Sequence, residues 1–379
     1  MNITTLIEPD HEARVAITPA SVKHLIALGF TVTCEHDAGQ AAGFSDLAYE
    51  QAGALIMNKR KKLLAQTQVL VCVNAPHPKT LTGLQPHSLL IAPIDNEPPN
   101  ELLNWCCQHL ITAFSMNHIP RISRAQNLDS LSSQASLAGY RAVIEAIAHF
   151  KRAIPMMMTA AGMIQPAKVL ILGAGVAGLQ AIATAKRMGA VVYAFDVRRA
   201  SKEQVESLGA EFIEVGDFED NETTAGYAKE SSDNYRRLQA ELIDHYAILS
   251  DIIITTALIP GKKAPLLLTT NTVERMQPGS VIVDLATSRG GNCELSIRDK
   301  IVHHAGVTLI GYSHMASCIP ATASDMYANN IVNVLKLLVT SPPTQLNWNH
   351  EDEIIRQSVL CLDGHILPFQ TKPEESLHA

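Results

Sequence analysis

Short runs of β-branched and aliphatic residues alternate with amphipathic stretches over the first third of this 379-residue chain. The runs predict strands and the stretches predict helices, one of which begins at Thr18-Pro19, an N-cap threonine followed by a proline in the first turn. Such alternation is typical of a parallel α/β layer. We expect strands over 31–35, 69–73, 89–94 and 112–114 and helices over 18–28, 46–53 and 100–109.

The pattern changes at Leu131, from which apolar residues fall at helical spacing through Arg152. A second α/β series begins at Lys168, with strands predicted over 169–172, 191–195, 211–214, 251–256, 281–284 and 307–310. A second long helix is predicted over 325–338, and the tail contains a strand near 358–362. We therefore expect an α/β protein of two Rossmann-like, doubly wound parallel-sheet domains joined by long helices. The first would cover 1–130, completed by 325–379, and the second 131–324.

Composition and charge argue against several classes of protein. The chain has 30 Lys and Arg against 37 Asp and Glu, and only 5% aromatic residues, so neither a basic face nor a base-stacking surface for nucleic acid is expected. No secretion signal opens the chain, and its most apolar segment, 169–185, contains three glycines and is too short to span a bilayer. We expect a cytoplasmic protein with no membrane span of its own.

Metal binding is not predicted. The seven cysteines form no CxxC pair with zinc spacing, and we expect them to be free thiols. His303 and His304 are adjacent, but no third ligand follows at a supporting spacing.

The strongest local signal is a GxGxxG motif, Gly173-Ala-Gly175-Val-Ala-Gly178, between a predicted buried strand and a predicted helix. The first glycine permits a tight turn, the second lets the backbone approach a pyrophosphate, and the third allows close packing of helix and strand. The start of the helix offers unpaired N–H groups to the phosphates. With strand and helix both in place, the motif predicts dinucleotide binding.

An acidic residue indicates which dinucleotide is bound. Asp196 ends the next predicted strand, where a carboxylate accepts hydrogen bonds from the adenosine ribose and repels a 2′-phosphate. This arrangement favours NAD(H) over NADP(H). Arg198 and Arg199 follow closely and could compensate a 2′-phosphate, but we interpret them as solvated cations at a helix start.

A polar segment, Pro120 to Gln134, precedes the first long helix and contains two arginines, two amides and several hydroxyls. Asp129 or Ser130 is predicted to cap that helix. The residues alone leave two interpretations open: a binding loop held by rigid elements, or a polar loop between domains.

Several segments together resemble the alpha subunit of proton-translocating NAD(P) transhydrogenase, a family whose NAD(H)-binding part is related to alanine dehydrogenase. The resemblance runs from about Arg14 to Leu338 and is carried by 120–141, 156–162, the glycine motif, 202–210, 226–229, 254–262, 279–286 and 290–293. It implies a subunit, usually dimeric, that holds NAD(H) in the cleft between its domains. Hydride would pass directly to or from NADP(H) on a partner subunit, and membrane-spanning subunits would couple the transfer to proton movement. The chain would then lie peripherally at the inner face of the cell membrane.

The resemblance also implies roles for individual residues. Arg121 would hold the nicotinamide carboxamide, Gln126 would lie near the partner's nucleotide, and Asp129 and Ser132 would orient the ring. Tyr227 would belong to a mobile loop that closes over the nucleotide. The remaining cofactor contacts would come from Gly173, Gly175, Val176, Ala177, Gly178, Asp196, Val197, Arg198, Thr256, Ala257 and Leu258.

Two other functions are less favoured by the sequence. Alanine dehydrogenase is disfavoured because its catalytic lysine, histidine and aspartate are missing from the matching neighbourhoods, 71–74, 91–95 and 286–290. A non-catalytic NAD(H) sensor or scaffold has little reason to keep the set of Arg121, Gln126, Asp129 and Ser132. Three residues, Cys72, His314 and Cys318, depart from the transhydrogenase pattern and bear on the closed geometry of the cleft.

Overall fold

The computed structural model describes residues 1–9, 11–215, 233–259, 262–340 and 345–367. The chain divides into two compact units, Met1–Gln134 with Ile319–Ala379, and Ala135–Cys318. Each unit is built on a largely parallel sheet, so the predicted α/β fold class is confirmed. In the portion of the chain that the structure describes, no helix combines the length and apolar character needed to cross a bilayer.

The described residues of the first unit form an eight-stranded sheet in the order β17-β16-β6-β5-β4-β1-β2-β3. Strands β1 to β6 pair in parallel, whereas β16 runs antiparallel to both β6 and β17. The strands are β1 Asn2–Thr5, β2 Thr31–Glu35, β3 Leu55–Met57, β4 Val69–Val71, β5 Leu89–Ala92, β6 Thr112–Ser115, β16 Val359–Leu362 and β17 His365–Ile366.

Helices and two large buried hydrophobic clusters cover this sheet. Val69 and Val71 belong to one cluster and Leu70 to the other, because successive side chains of a strand point to opposite faces of the sheet. Both faces of the sheet are therefore covered. The helices in these stretches of the chain are α1 Pro19–Ala27, α2 Asp46–Ala52, α3 Arg60–Leu64, α4 Glu101–Gln108, α10 Pro320–Leu338 and α11 Glu353–Ser358. Helix α5, Ser130–His149, begins in this unit and continues into the second.

The second unit has a seven-stranded sheet among its described residues, in the order β11-β10-β9-β12-β13-β15-β14, with only β14 antiparallel. Its strands are β9 Lys168–Leu172, β10 Val191–Phe195, β11 Glu211–Phe212, β12 Ile252–Thr255, β13 Val281–Asp284, β14 Ile301–His304 and β15 Val307–Ile310. A separate hairpin joins β7 Met157–Thr159 and β8 Gly162–Ile164. The helices are α6 Val176–Arg187, α7 Ser201–Ser207, α8 Asp233–Ile248 and α9 Thr270–Glu274.

The order of this sheet reverses beside β9, its first strand. The chain runs from β9 outward to β10 and β11 on one side, then returns to β12 on the other. In open parallel sheets, ligands bind beyond the carboxyl ends of the strands at such a reversal. The loops that follow β9, β10 and β12 are therefore the positions at which this unit is expected to hold a ligand.

Several elements differ from those predicted. Strands β1, β3 and β14 and the β7–β8 hairpin are additional to the predicted elements, and the strand expected over 211–214 is only Glu211–Phe212. The second long helix begins at Pro320 rather than Asp325, because a proline is well placed in a first helical turn.

Candidate functional site

The glycine motif forms the turn between β9 and α6. Gly173 has φ of 106°, a left-handed conformation that favours glycine, and Gly175 occupies the N-cap of α6. A β-carbon at Gly178 would overlap the carbonyl oxygen of Gly173, so this glycine lets the helix lie directly against the turn. At Gly175 an added β-carbon would have only Arg198 Nη2, at 4.0 Å, as its nearest neighbour. The middle glycine is thus not required by contacts with the described chain, and its backbone is open to a ligand.

Asp196, directly after β10, fastens this turn. The backbone amide of Ala174 donates to Asp196 Oδ2 at 2.7 Å, and the amide of Arg198 donates to Oδ1 at 2.9 Å. The Asp196 side chain is only 6% exposed. The carboxylate therefore lies beside the glycine motif, as the spacing along the sequence predicts.

The arginine that follows is not a solvated cation. Arg198 Nε and Nη2 each donate to the Asp196 carboxylate at 2.9 Å, and the arginine side chain is 25% exposed. Arg199 is 60% exposed and lies 3.5 Å from Glu214. The interpretation of both arginines as solvated is wrong for Arg198, because a buried carboxylate two residues earlier is within reach of its planar guanidinium. Val197, between Asp196 and Arg198, is half-buried.

The third loop of the site follows β12 and is held by a buried network. Thr256 Oγ1 donates to the carbonyl of Gly173 at 3.0 Å, which joins this loop to the glycine turn. Asn292 Oδ1 accepts from the amide of Ala257 at 3.0 Å, and Asn292 Nδ2 donates to the Ala257 carbonyl at 2.9 Å. Leu258, next in the loop, is 47% exposed.

Asp284, at the end of β13, holds Asn292 in turn. Its Oδ2 accepts from the amides of Asn292 and Cys293, and its Oδ1 accepts from Thr255 Oγ1 and the amide of Ala286. Both Asp284 and Asn292 are fully buried. Neither residue is predicted as a site residue from the sequence, although both stand in segments that carry the family resemblance.

The backbone of α5 lies very close to the start of α6. An added β-carbon at Gly139, on α5, would overlap the carbonyl oxygen of Ala177. Helix α5 therefore packs directly on the first turn of α6, beside the exposed Val176.

The polar segment before α5 lies in the first unit. Asp129 is the residue that caps the helix: its Oδ1 accepts from the amide of Ser132 at 2.9 Å, and its Oδ2 accepts from Ser132 Oγ at 2.5 Å. The carbonyl of Asn127 accepts from Asn330 and Asn333 of α10. Arg121 and Gln126 are exposed on this anchored loop.

The predicted site residues that the structure describes therefore belong to two groups, one in each unit. The first unit contains Arg121, Gln126, Asp129 and Ser132, of which Asp129 and Ser132 are in contact. The second unit joins the glycine turn, Asp196 and Thr256 by direct hydrogen bonds. Tyr227 lies outside the described residues.

A polar cluster of the first unit joins the segments that follow β1 and β4. Glu8 follows β1 and accepts from the amides of Val73 and Asn74, which follow β4, at 2.6 and 3.2 Å. Burial raises the pKa of the Glu8 carboxyl to about 7, against the lowering effect of these donors. Burial also raises the pKa of the Cys72 thiol well above its usual value.

Among the described residues, three potential metal ligands come together at one place, where the exposed His36 and Asp37 lie beside the partly buried Asp46. The two histidines considered from the sequence lie elsewhere, on β14. There His303 is 3.2 Å from Thr308 Oγ1, and His304 is 3.0 Å from Glu274.

Family models match nearly the whole chain. The alanine dehydrogenase/PNT N-terminal domain matches residues 7–138, and the C-terminal domain of the same family matches residues 142–368. The chain belongs to the alanine dehydrogenase/PNT family.

Within this family the chain is more similar to transhydrogenase subunits than to alanine dehydrogenases. It is 47% identical to the first portion of NAD(P) transhydrogenase subunit alpha of Rhodospirillum rubrum, over 94% of each chain. It matches the crystal structure of a transhydrogenase from Sinorhizobium meliloti with a TM-score of 0.88 and 42% identity, over 97% of this chain and 100% of that one. The alanine dehydrogenase of Bacillus subtilis is 27% identical over 94% of this chain and 90% of its own length. These matches confirm the predicted family and its class of enzyme, an oxidoreductase.

Proposed function

We propose that this chain is the NAD(H)-binding alpha subunit of a proton-translocating transhydrogenase. NAD(H) binds to the second unit and exchanges hydride directly with NADP(H) on a partner subunit. The observation that carries the proposal is the glycine turn, which opens α6 where the strand order reverses, with Asp196 fastened beside it. A pyrophosphate on the amides of this turn leaves the adenosine ribose next to the carboxylate of Asp196.

The other loops complete the proposed cofactor site. Thr256 contacts the glycine turn, Asn292 holds the backbone of Ala257, and Leu258 follows in the same loop. Val176 and Ala177 contribute the first turn of α6, and Val197 and Arg198 the segment after β10. Because hydrogen bonds within the chain already hold Ala174, Thr256 and Ala257, this part of the site is formed before the nucleotide binds.

The chemistry of the reaction fits the residues proposed to perform it. Hydride transfer between two nicotinamides moves no proton at either reacting carbon, so the site needs positioning and exclusion of water rather than a general acid or base. Arg121 holds the carboxamide and Gln126 lies toward the partner's nucleotide. Asp129 and Ser132, which already contact each other, orient the nicotinamide ring. Tyr227 closes over the bound nucleotide.

Alanine dehydrogenase activity is disfavoured by the state of Cys72. A 2-oxo-acid enzyme needs a charged or proton-transferring group for its substrate. Cys72 is 3% exposed and its raised thiol pKa keeps it neutral, so it supplies neither a cation nor an accessible proton donor. A non-catalytic NAD(H) sensor is the remaining alternative, and it differs from the proposal in that it transfers no hydride.

Partner subunits are part of the proposal. The NADP(H)-binding and membrane-spanning subunits supply the second nucleotide and the proton path, and they hold this chain at the inner face of the membrane. A homodimer is supported by the β7–β8 hairpin, on which Met157, Met158 and Met163 are 45%, 78% and 54% exposed. An apolar hairpin of this kind is suited to packing against a second copy.

Isotope transfer tests the proposed reaction. The chain is mixed with NADH deuterated at the transferable position of C4 and with the NADP⁺-loaded NADP(H)-binding subunit of a transhydrogenase. We expect deuterium in NADPH by mass spectrometry, and none when either protein is omitted. Saturable NADH binding without deuterium transfer would contradict the proposal and favour the sensor.

A further inference from the structure

Every hydrogen-bond acceptor position of the Asp196 carboxylate is occupied by a donor from the chain itself. Oδ1 accepts from the amide and Nε of Arg198, and Oδ2 accepts from the amide of Ala174 and Nη2 of Arg198. A carboxylate offers about four acceptor positions, and these four donors fill them. The ribose hydroxyls of a dinucleotide therefore cannot bind Asp196 while all four bonds are present.

The four bonds differ in how readily they open. The amides of Ala174 and Arg198 belong to the backbone of the glycine turn and of the loop after β10, and both shape the site. The side chain of Arg198 is partly exposed, and its guanidinium lies beside Gly175, where an added β-carbon would be 4.0 Å from Nη2. Rotation of this side chain frees two acceptor positions without changing the backbone.

We infer that Arg198 is a specificity-determining residue that competes with the adenosine ribose for Asp196 and so narrows the preference for NAD(H) over NADP(H). This inference rests on the proposed function. The adenosine ribose of NAD(H) must displace the Arg198 guanidinium from Asp196, and this displacement lowers the affinity of the chain for NAD(H). A 2′-phosphate instead meets an Asp196 whose charge is compensated, with a guanidinium nearby to receive it. The selectivity of the site thus depends on the pair rather than on the acid alone.

The test compares two neighbouring arginines in the full chain. Arg198→Ala keeps the amide at position 198 and removes only the competing side chain. Arg199→Ala removes the same charge from a residue that lies against Glu214. Because both dinucleotides are anions, loss of charge alone weakens both of them in either variant. Affinities for NADH and NADPH are measured by fluorescence titration at fixed ionic strength.

We expect Arg198→Ala to bind NADH about two- to fivefold more tightly than wild type, the range set by a partly exposed ion pair, and to bind NADPH more weakly. Arg199→Ala should not widen the ratio of the two affinities. Arg198→Lys, which keeps the charge but loses the two-point contact, should change the ratio in the same direction by less. It carries the test if the alanine variant does not fold.

Two negative results are distinguishable. If wild type prefers NADH and Arg198→Ala binds it no more tightly, or more weakly, the inference is overturned and the proposed function stands. If wild type binds neither dinucleotide, the proposed function fails and the inference fails with it.

Discussion

The side-chain amide of Asn292 pairs with both backbone groups of Ala257: it accepts from the amide at 3.0 Å and donates to the carbonyl at 2.9 Å. Its second N–H donates to the carbonyl of Pro265 at 2.8 Å. One buried residue thus fixes the loop after β12, and the same loop is joined to the glycine turn through Thr256. The loops of the proposed cofactor site are therefore held together by hydrogen bonds within the chain.

Replacement of Asn292 by Ala should destabilise the chain and loosen the site. Three partly buried backbone groups lose their partners, and we expect a loss of roughly 3 kcal/mol in the free energy of unfolding, measured with urea. NADH affinity should fall as well. Asn271→Ala, at an exposed position on α9, is the control and should change neither quantity. A stable Asn292→Ala chain with unchanged NADH affinity would show that the loop is held by other contacts.

Two glycines of the same motif should respond differently to alanine. Gly178→Ala forces a β-carbon into the carbonyl of Gly173, so stability should fall by about 2 kcal/mol. Gly175→Ala meets no neighbour closer than 4.0 Å, so stability should change by less than about 1 kcal/mol. NADH affinity should nevertheless fall by at least about tenfold, or about 1.4 kcal/mol, because the methyl group occupies the path of the pyrophosphate.

Thermal unfolding and NADH titration of the two glycine variants separate these effects. A Gly175→Ala chain that binds NADH as wild type does would mean that the pyrophosphate lies elsewhere.

Asp196→Ala should weaken NADH binding by about tenfold and narrow the gap to NADPH, because charge-assisted hydrogen bonds to the ribose are lost and the repulsion of a 2′-phosphate disappears. Asp196→Asn is the matched control: it keeps an acceptor for the ribose but removes the charge, so NADH should be weakened less. Titration of both variants with both dinucleotides measures this. An unchanged preference in the alanine variant would show that the ribose is recognised by other groups.

Gln126→Ala should slow hydride transfer much more than it weakens NADH binding. The side chain is exposed on a loop anchored to α10, so its loss leaves the fold intact and alters only the alignment of the two nucleotides. We expect the single-turnover rate to fall by about tenfold to a hundredfold. Arg124→Ala, on the same loop and paired with Asp352, is the control and should retain the wild-type rate. The same separation of rate from binding is expected for Tyr227→Ala.

The raised pKa of Glu8 should make the stability of the chain depend on pH. Burial raises the pKa of its carboxyl from 4.5 to about 7, so between these values the folded chain holds a proton that the unfolded chain has released. The contribution of Glu8 to the free energy of unfolding therefore becomes less favourable as pH rises through this window, by roughly 3 kcal/mol in total. Glu8→Gln cannot ionise and should flatten the decrease, whereas the exposed Glu50→Gln should not. Urea unfolding at a series of pH values across this window measures the slopes, and equal slopes for Glu8→Gln and wild type would contradict this assignment.

The sequence is most informative where local rules and tertiary structure agree. The β9-turn-α6 unit and the acid after β10 are predicted because the glycines recur at the spacing of a tight strand-to-helix turn and the acid follows a regular strand. Capping of α5 by Asp129 is one of two predicted alternatives. Strand β1 escapes prediction because its four residues, Asn2–Thr5, are too few to form a pattern, although the strand lies between β2 and β4.

The contacts that hold the site together are harder to predict. Some join residues distant in sequence, and others depend on which of several neighbouring groups a side chain binds. Asn292 meets Ala257 across a separation of 35 residues, which no local pattern predicts. The pairing of Arg198 with Asp196 depends on burial of the acid, and burial is a property of the folded chain. The exposed methionines of the β7–β8 hairpin likewise form no periodic signal, because both strands face solvent.

The most direct test of the central claim is a side-by-side fluorescence titration of the purified chain with NADH and NADPH. We predict saturable binding with a clear preference for NADH, since Gly175 leaves the glycine turn open and the carboxylate of Asp196 lies beside that turn. If neither nucleotide bound saturably, or if NADPH bound more tightly than NADH, the result would contradict this claim.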